Sequence, residues 1–431
     1  FSYQAFLMLS LQEPGELVGT VMGEILADKE LQKVTDAACA GYFFGLCNRR
    51  NRQVQKTDVC KHTGGCMKYQ WELTEEEFGP FYPFVRDRNV TDIDYNGKNL
   101  WISDLRRGRY RVNLPVNEEF LEEFTHRIAN RVNKPFNKTN NVLEAETDAL
   151  RISIVHESVA VSGRSICIRK SMPKVRHTVE SMLDSGYCTI EILSLLINCV
   201  KAKMNFAFCG EPGVGKTECA KFFSRFIPPN QRAITIEDNL EMHFHEINPE
   251  NDCVELQVSK DLSYTDAIKL CLRQNPKWII LSEARSTEVQ YLLEQWSTGV
   301  YGFTTLHLDD LRNLPDRIMN MIGRSRDADR LENYIYEFIS VGVLIRQHEN
   351  EHGLLERYID QMCFYDRYEG KNDIYMLLDE GRLVSRMIPG DILKRMMRAG
   401  IADPFQCEET LPYEPLPMEY LQIMADIEGR A

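Results

Sequence analysis

Apolar and polar positions follow two different patterns along this chain. Between residues 71 and 175, short apolar stretches predict strands, and one helical pattern runs from Glu118 to Val132. The predicted strands are Leu100–Ile102, Arg109–Leu114, Ile152–Ile154 and Ser165–Arg169. Asn96 and Gly97 form a pair that is typical of a tight turn between two strands. Short strands around one helix indicate a small α+β domain.

From residue 176 the pattern changes to apolar strands that are separated by helices. The predicted strands are Asn205–Cys209, Ala233–Ile236, Trp278–Leu281 and Gly302–Leu306. The predicted helices are Thr217–Phe226, Tyr264–Arg273 and Ser286–Trp296. Because strands that alternate with helices pair mainly in parallel, with helices on both faces, we predict an α/β fold with a mainly parallel sheet.

These patterns divide the 431 residues into four predicted segments, and the length exceeds that of a usual single domain. We predict a helical N-terminal segment over 1–70, the α+β domain over 71–175 and the α/β domain over 176–410. Residues 411–431 are predicted to be an extended tail around a short helix.

A glycine-rich segment between a predicted strand and a predicted helix carries the clearest chemical signal. Gly210 to Thr217 matches G-x-x-x-x-G-K-[ST] in full, and this context indicates a phosphate-binding loop. Lys216 is expected to contact the β- and γ-phosphates of ATP, and the Thr217 hydroxyl to bind Mg²⁺. The residues predicted to bind the nucleotide here are Gly210, Glu211, Pro212, Gly213, Val214, Gly215, Lys216 and Thr217.

Two apolar strands end in acidic residues, which are candidates for the chemistry at this loop. Glu283 follows Trp278–Leu281 and Ser282, and Glu237 and Asp238 follow Ala233–Ile236. Ligand chemistry in open parallel sheets lies beyond the carboxyl ends of the strands. We therefore predict catalytic roles for Glu283 and Glu237 and a Mg²⁺ contact for Glu283. Asp238 is also suited to cap the following turn.

Composition and charge narrow the class of partner and the compartment. The net charge is −13, which argues against a general nucleic-acid coat, because binding to phosphate backbones requires positive charge. No apolar run approaches about 18 residues, and no secretory signal is visible, so we predict a cytoplasmic protein without a transmembrane segment. The 13 cysteines show no disulfide spacing. Reduced thiols are therefore favoured over a zinc site at Cys47, Cys60, His62 and Cys66.

Residues from about 90 to 350 resemble the traffic ATPases of type IV secretion and Tad-type pilus assembly, which are related to the type II secretion and type IV pilus motors. Besides the phosphate loop, several short motifs carry the resemblance. They are Thr91–Ile93 with Asn96–Gly97, Ile168–Lys170, Thr235–Asp238 with Glu241, Leu272–Arg273, Ile279–Arg285, Ser297–Gly299 and Thr304–His307.

The resemblance implies a RecA-like P-loop motor domain, preceded by a small α+β domain, in a homohexameric ring. It implies an ATPase at the cytoplasmic face of the cell membrane, working with secretion or pilus platform proteins of the inner membrane. Glu237, Glu283 and His307 match the family's acidic box, Walker B glutamate and histidine box. Arg169 matches a linker arginine that reaches the nucleotide, and Arg273 and Arg285 match arginines that flank the Walker B strand.

Departures from the family pattern keep two other functions open. Ser282 stands where the family usually has glycine, and Asn275 stands where it usually has arginine. We predict an ATP-hydrolysing motor that couples hydrolysis to inter-domain motion, and these changes keep open the alternative of a nucleotide-gated assembly scaffold with little turnover. A DNA-translocating P-loop ATPase is a further alternative, which the acidic charge disfavours. From the residues alone, His307 is better explained as a buried histidine whose hydrogen bonds are satisfied, and each arginine as a member of a surface ion pair.

Overall fold

The computed structural model describes residues 73–147, 149–323 and 328–410. The segment predicted for 1–70, the tail predicted for 411–431 and the four residues weighed as a zinc site lie outside these ranges. No helix of the described residues is both long enough and apolar enough to span a membrane.

The first sheet is antiparallel, with its strands in the order β3-β2-β1-β6-β5-β4. Its strands are β1 (Val90–Tyr95), β2 (Leu100–Asp104), β3 (Gly108–Val112), β4 (Val142–Glu146), β5 (Leu150–Val155) and β6 (Ser165–Lys170). Buried residues alternate with partly exposed ones along β2 and β5, as expected for a sheet with one face on a core. The predicted turn at Asn96 and Gly97 joins β1 to β2.

One long helix packs against this sheet. It spans Glu118–Arg131, begins at the side-chain cap of Asn117 and buries an apolar stripe that contains Leu121, Phe124 and Ile128. These positions are three and four residues apart, so they share one face of the helix. The helices of this part are α1 (Glu75–Phe78), α2 (Tyr82–Arg86) and α3 (Glu118–Arg131).

The second sheet has the order β15-β14-β13-β12-β7-β11-β10-β8-β9. The six strands β12, β7, β11, β10, β8 and β9, in this spatial order, pair in parallel. The strands β13, β14 and β15 extend the sheet beyond β12 in antiparallel pairing. The strands are β7 (Phe206–Cys209), β8 (Ala233–Glu237), β9 (Cys253–Gln257), β10 (Trp278–Leu281), β11 (Tyr301–Leu306), β12 (Val341–Glu349), β13 (Leu355–Tyr368), β14 (Lys371–Asp379) and β15 (Arg382–Leu383).

Helices cover both faces of the second sheet, and two apolar clusters fill the layers between them. The strands β7 and β10 are buried at every position, so they form the centre of the sheet. The helices are α4 (Val179–Asp184), α5 (Ile190–Lys201), α6 (Lys216–Ser224), α7 (Phe244–Ile247), α8 (Tyr264–Cys271), α9 (Glu288–Trp296), α10 (Leu314–Ile322), α11 (Ala328–Phe338) and α12 (Gly390–Arg398).

The predicted α/β fold with a mainly parallel sheet is confirmed, but the sequence patterns missed several of its strands. The strands β9 and β12 to β15 were not predicted, although β13 alone runs for 14 residues. Apolar and charged residues are mixed in β13 and β14, because each is buried for part of its length and exposed elsewhere. Neither the alternating pattern of a half-buried strand nor a continuous apolar run is therefore visible.

Candidate functional site

The segment Gly210 to Thr217 joins β7 to α6, at the carboxyl edge of the central strand. Gly210 has a φ of 144°, and a Cβ atom there would lie 2.5 Å from the carbonyl oxygen of Ile345. Gly215 has a φ of 95° and precedes the first residue of α6. Glycine is required at both positions, since a side chain would clash or strain the backbone. The chain therefore passes directly from the sheet into a helix N-terminus, which attracts anions.

Lys216 is the first residue of α6, and its side chain folds back over the loop. Its Nζ donates to the carbonyl oxygens of Gly210 at 3.1 Å and Glu211 at 2.9 Å. Burial lowers the pKa of Lys216, and the negative charge of Glu283 partly opposes that effect. The loop thus holds a buried ammonium group, which is the charge that a phosphate group requires.

A chain of hydrogen bonds runs from Lys216 across three strand ends. Lys216 Nζ donates to His307 Nδ1 at 3.1 Å, and His307 Nε2 lies 3.0 Å from Glu283 Oε1. Because an ammonium group can only donate, we assign the ring proton of neutral His307 to Nε2, which faces the carboxylate. Arg285 bonds the second oxygen of Glu283 and a carboxylate oxygen of Asp238, each at 2.8 Å. Cationic and anionic groups therefore alternate beside the loop.

The register of the parallel strands explains why these side chains meet. Leu306 is opposite Cys209 in neighbouring strands, so His307 follows at the level of Gly210. Strand β10 is next in the sheet, and Leu281 is opposite Thr304. The residues after three adjacent strands consequently share one edge of the sheet.

A cavity of about 540 Å³ opens at this edge, between the second sheet and the first. The phosphate loop contributes Lys216 and Thr217, and the strand ends contribute Glu283 and His307. The predicted site residues that line this cavity are Pro212, Gly213, Gly215, Lys216, Thr217, Glu283, Arg285, His307 and Arg169. Gly210, Glu211 and Val214 line a smaller neighbouring cavity.

Arg169 reaches the cavity from β6 of the first sheet. Its Nε donates to Asp92 Oδ1 at 2.8 Å, and its side chain is 55% exposed. The hydrogen bond to Asp92 raises the pKa of Arg169. The side chain is therefore held at the cavity wall and keeps its charge, as a phosphate-binding arginine requires.

Glu237 lies elsewhere than predicted. It is fully buried, and it is not one of the described residues that line the cavity. Its Oε2 accepts from the backbone N–H groups of Glu241 and Met242, both at 2.9 Å. It thereby holds the turn that brings Asp238 and Glu241 to the cavity wall. Of the acids at the end of β8 and in the turn after it, Asp238 and Glu241 reach the cavity, whereas Glu237 does not, because side chains alternate in direction at the end of a strand.

We expect the buried carboxyl group of Glu237 to make the stability of the protein depend on pH. Burial raises its pKa to about 8 from an ordinary value of 4.5. Between these values the folded state holds a proton that the unfolded state has released, so the free energy of unfolding falls as pH rises and levels off above the folded pKa. A difference of one pKa unit between the folded and unfolded states corresponds to about 1.4 kcal/mol of the free energy of unfolding. We expect the free energy of unfolding to fall by about 2 kcal/mol or more over this pH range.

Denaturant unfolding from pH 5 to 8.5 measures this loss, and Glu237→Gln should flatten the curve. Glu246→Gln is the matched control, since Glu246 is exposed and close in sequence. A Glu237→Gln curve that runs parallel to the wild-type curve contradicts the expectation.

Arg273 also lies elsewhere than predicted. It follows α8, is exposed, and does not line the cavity in the part of the chain that the structure describes. Asn275 comes two residues later with a φ of 52°. Asparagine adopts this left-handed conformation more readily than arginine does, which gives a local reason for the residue at this position.

Five basic residues of the cavity wall were not among the predicted site residues. They are Arg151, Lys170, Arg176, Lys221 and Arg357. Lys221 is buried on α6 and donates to Glu218 at 3.1 Å, so its position on the helix of the phosphate loop was a usable signal. Arg357 is on β13, which was not predicted, and no local motif marks it.

The fit of Mg²⁺ can be judged from the donor groups alone. Thr217 and Glu283 both line the cavity and offer oxygen atoms, which Mg²⁺ prefers. Mg²⁺ is commonly held by one or two protein oxygens together with substrate phosphates, so these two donors fit the ion.

Comparison with known proteins places the second sheet in one protein family. The family described as Type II/IV secretion system protein matches residues 136–384, more than half of the chain. An uncharacterized protein of Bacillus anthracis is 27% identical over 268 residues, which cover 61% of this chain and 60% of the relative. The type IV secretion system protein VirB11 of Bartonella quintana is 26% identical over 194 residues, which cover 42% of this chain and 53% of the relative. The match thus extends over little more than half of either relative.

Among solved structures, the ATPase DotB of Yersinia pseudotuberculosis is similar with a TM-score of 0.53. The sequence identity is 15%, and the match covers 71% of this chain and 84% of that one. At this identity the similarity shows the fold, which is the RecA-like arrangement of parallel strands and helices.

Proposed function

We propose that this chain, which belongs to the type II/IV secretion system protein family, is an ATP-hydrolysing motor of a secretion, conjugation or pilus-assembly system. The observation that carries the proposal is the chain of hydrogen bonds from Lys216 through His307 to Glu283 at the wall of one cavity. A phosphate-binding loop, a histidine and a carboxylate at adjacent strand ends suit the transfer of a phosphoryl group to water.

Each of these residues has a role that its chemistry explains. Lys216 and the backbone N–H groups at the start of α6 bind the phosphates of ATP, and Thr217 and Glu283 hold Mg²⁺, which neutralises phosphate charge when it is bound. Glu283 also orients the attacking water, and His307 keeps that carboxylate in place through its Nε2–H. Arg285 bonds both Glu283 and Asp238, so it fixes the two acids relative to each other.

The cavity lies between the two sheets, and this position supports the proposal that ATP hydrolysis moves one sheet relative to the other. Its wall includes Arg169 and Arg151 from the first sheet as well as the phosphate loop from the second. Charged groups on both sides of a bound triphosphate change their attraction for each other when the γ-phosphate leaves. We propose that this change moves the first sheet relative to the second, and that a homohexameric ring at the cytoplasmic face of the membrane passes the motion to platform proteins.

The test is to measure the size of the purified protein, with and without ATP and Mg²⁺, while counting the phosphate released. We expect steady phosphate release and a nucleotide-dependent shift towards a ring of about six chains. Nucleotide binding with negligible phosphate release would instead identify an assembly scaffold. Hydrolysis that DNA stimulates, with the stimulation lost at raised salt, would indicate a DNA translocase.

A further inference from the structure

The turn between β2 and β3 of the first sheet presents two carbonyl groups to the second sheet. One carboxylate oxygen of Asp104 accepts from the backbone N–H groups of Arg106 at 2.7 Å and Arg107 at 2.8 Å. Asp104 is only 8% exposed. Because this one side chain closes the turn, it also fixes the direction of the carbonyl groups of Leu105 and Arg106.

The first residues of β13 bind both carbonyl groups. The N–H of Leu355 donates to the carbonyl oxygen of Arg106 at 2.6 Å. Two residues later, Arg357 Nη1 donates to the carbonyl oxygen of Leu105, also at 2.6 Å. The turn is therefore held on β13 by one backbone and one side-chain hydrogen bond.

Arg357 also contacts the phosphate loop. Its Nη2 donates to the carbonyl oxygen of Gly213 at 3.4 Å, and its Cδ lies 3.8 Å from the place of a Cβ on Gly215. Burial lowers the pKa of Arg357. The guanidinium is planar and rigid, so it holds the carbonyl groups of Leu105 and Gly213 at a fixed separation.

The contact with Gly213 has a direct consequence for the loop. The carbonyl group of Gly213 and the N–H of Val214 belong to one trans peptide plane and point in opposite directions. By holding the carbonyl oxygen, Arg357 sets the rotation of this plane and directs the N–H of Val214 away from itself. Backbone N–H groups are what such a loop uses to bind anions.

We propose that Arg357 is a positioning residue that makes the conformation of the phosphate loop depend on the docking of the β2–β3 turn. Loosening the turn releases the guanidinium, and the Gly213–Val214 peptide then loses its fixed orientation. The consequence for turnover rests on the proposed ATP hydrolysis, whereas the link between turn and loop does not. The link can therefore be tested without nucleotide.

Hydrogen exchange of the full chain without nucleotide tests the link from both ends. We expect Arg357→Gln and Asp104→Ala each to speed exchange at the amides of residues 213–216 by roughly tenfold, as local opening becomes easier. The double variant should exchange no faster than either single variant, because both changes break one connection. Arg367→Gln is the control, since Arg367 is on the same strand but bonds Asn333 and Asn372.

The proposal is overturned if Asp104→Ala leaves exchange in the loop at the wild-type rate, or if the two effects simply add. Assays with ATP and Mg²⁺ form a separate arm, in which both single variants should lower kcat by roughly tenfold. A loss confined to Arg357→Gln would show direct contact with the nucleotide and contradict the positioning role. If the wild type releases no phosphate, the proposed function fails and the exchange result still decides the link.

Discussion

Replacing Lys216 with alanine should lower kcat/KM for ATP hydrolysis by about 100- to 1,000-fold, the usual effect of losing one preorganised charge. The ammonium group is buried at the phosphate loop, where it bonds two backbone carbonyl oxygens and His307. A buried charge acts more strongly on a phosphate than an exposed one, because less water screens it. Alanine removes both the charge and the donor to His307.

Phosphate release and nucleotide affinity should be measured together for this variant. We expect ATP affinity to fall as well, since the lysine contacts the phosphates before any chemistry occurs. Lys394→Ala is the matched control, because Lys394 is exposed on α12 and its partner is Asp391. Wild-type turnover by Lys216→Ala would mean that this loop is not the site of hydrolysis.

Glu283→Gln should separate binding from chemistry. Glutamine has nearly the same shape as glutamate, and its amide oxygen can still accept from His307 Nε2. It carries no negative charge, so it neither orients a water by accepting its proton nor balances the two positive groups at the site. We expect kcat to fall by about 100-fold or more, as is typical when a general base is lost.

ATP affinity should change much less in Glu283→Gln, because the loop and Lys216 remain. Equilibrium binding of a fluorescent ATP analogue and single-turnover hydrolysis measure the two quantities separately. Glu250→Gln serves as the control, since Glu250 is exposed. Equal losses of binding and turnover would mean that Glu283 acts only through the binding of ATP with Mg²⁺, and unchanged turnover would rule out a catalytic role.

Both variants probe one connected set of groups. His307 lies between Lys216 and Glu283 and bonds each of them, so a change at either end also changes the hydrogen bonds of the histidine. The effects of residues in such a set do not add. We therefore expect the double variant Lys216→Ala/Glu283→Gln to be little worse than the more damaged single variant.

The sequence by itself determined the phosphate loop and much of the sheet around it. The loop is contiguous, and its glycines, lysine and helix start are set by local backbone geometry, so eight adjacent residues were enough to find it. Glu283 was found because it follows an apolar strand, and parallel strands bring their carboxyl ends to one edge. His307 was found only through the resemblance to the family, which rests on the short motif Thr304–His307. In both cases the signal lies within a few residues of the chain.

The tertiary structure decided which neighbouring residues face the cavity. Glu237 and Asp238 are adjacent acids after one strand, and the sequence pattern does not tell which of them points to the loop. In the fold, Glu237 accepts two backbone N–H groups beneath the turn, and Asp238 pairs with Arg285. Such a choice depends on packing against the rest of the sheet, which a local pattern does not contain.

Arg357 shows the same limit over a longer distance. It is 144 residues from Gly213 and 252 from Leu105 in the sequence, yet one guanidinium bonds both. Its strand is half buried and shows no regular apolar pattern, so local periodicity gave no sign of it. The sequence alone determined the features that depend on residues close to one another in the chain, such as the phosphate loop. The fold decided the features that depend on contacts between distant segments, because only the completed sheet brings those segments together.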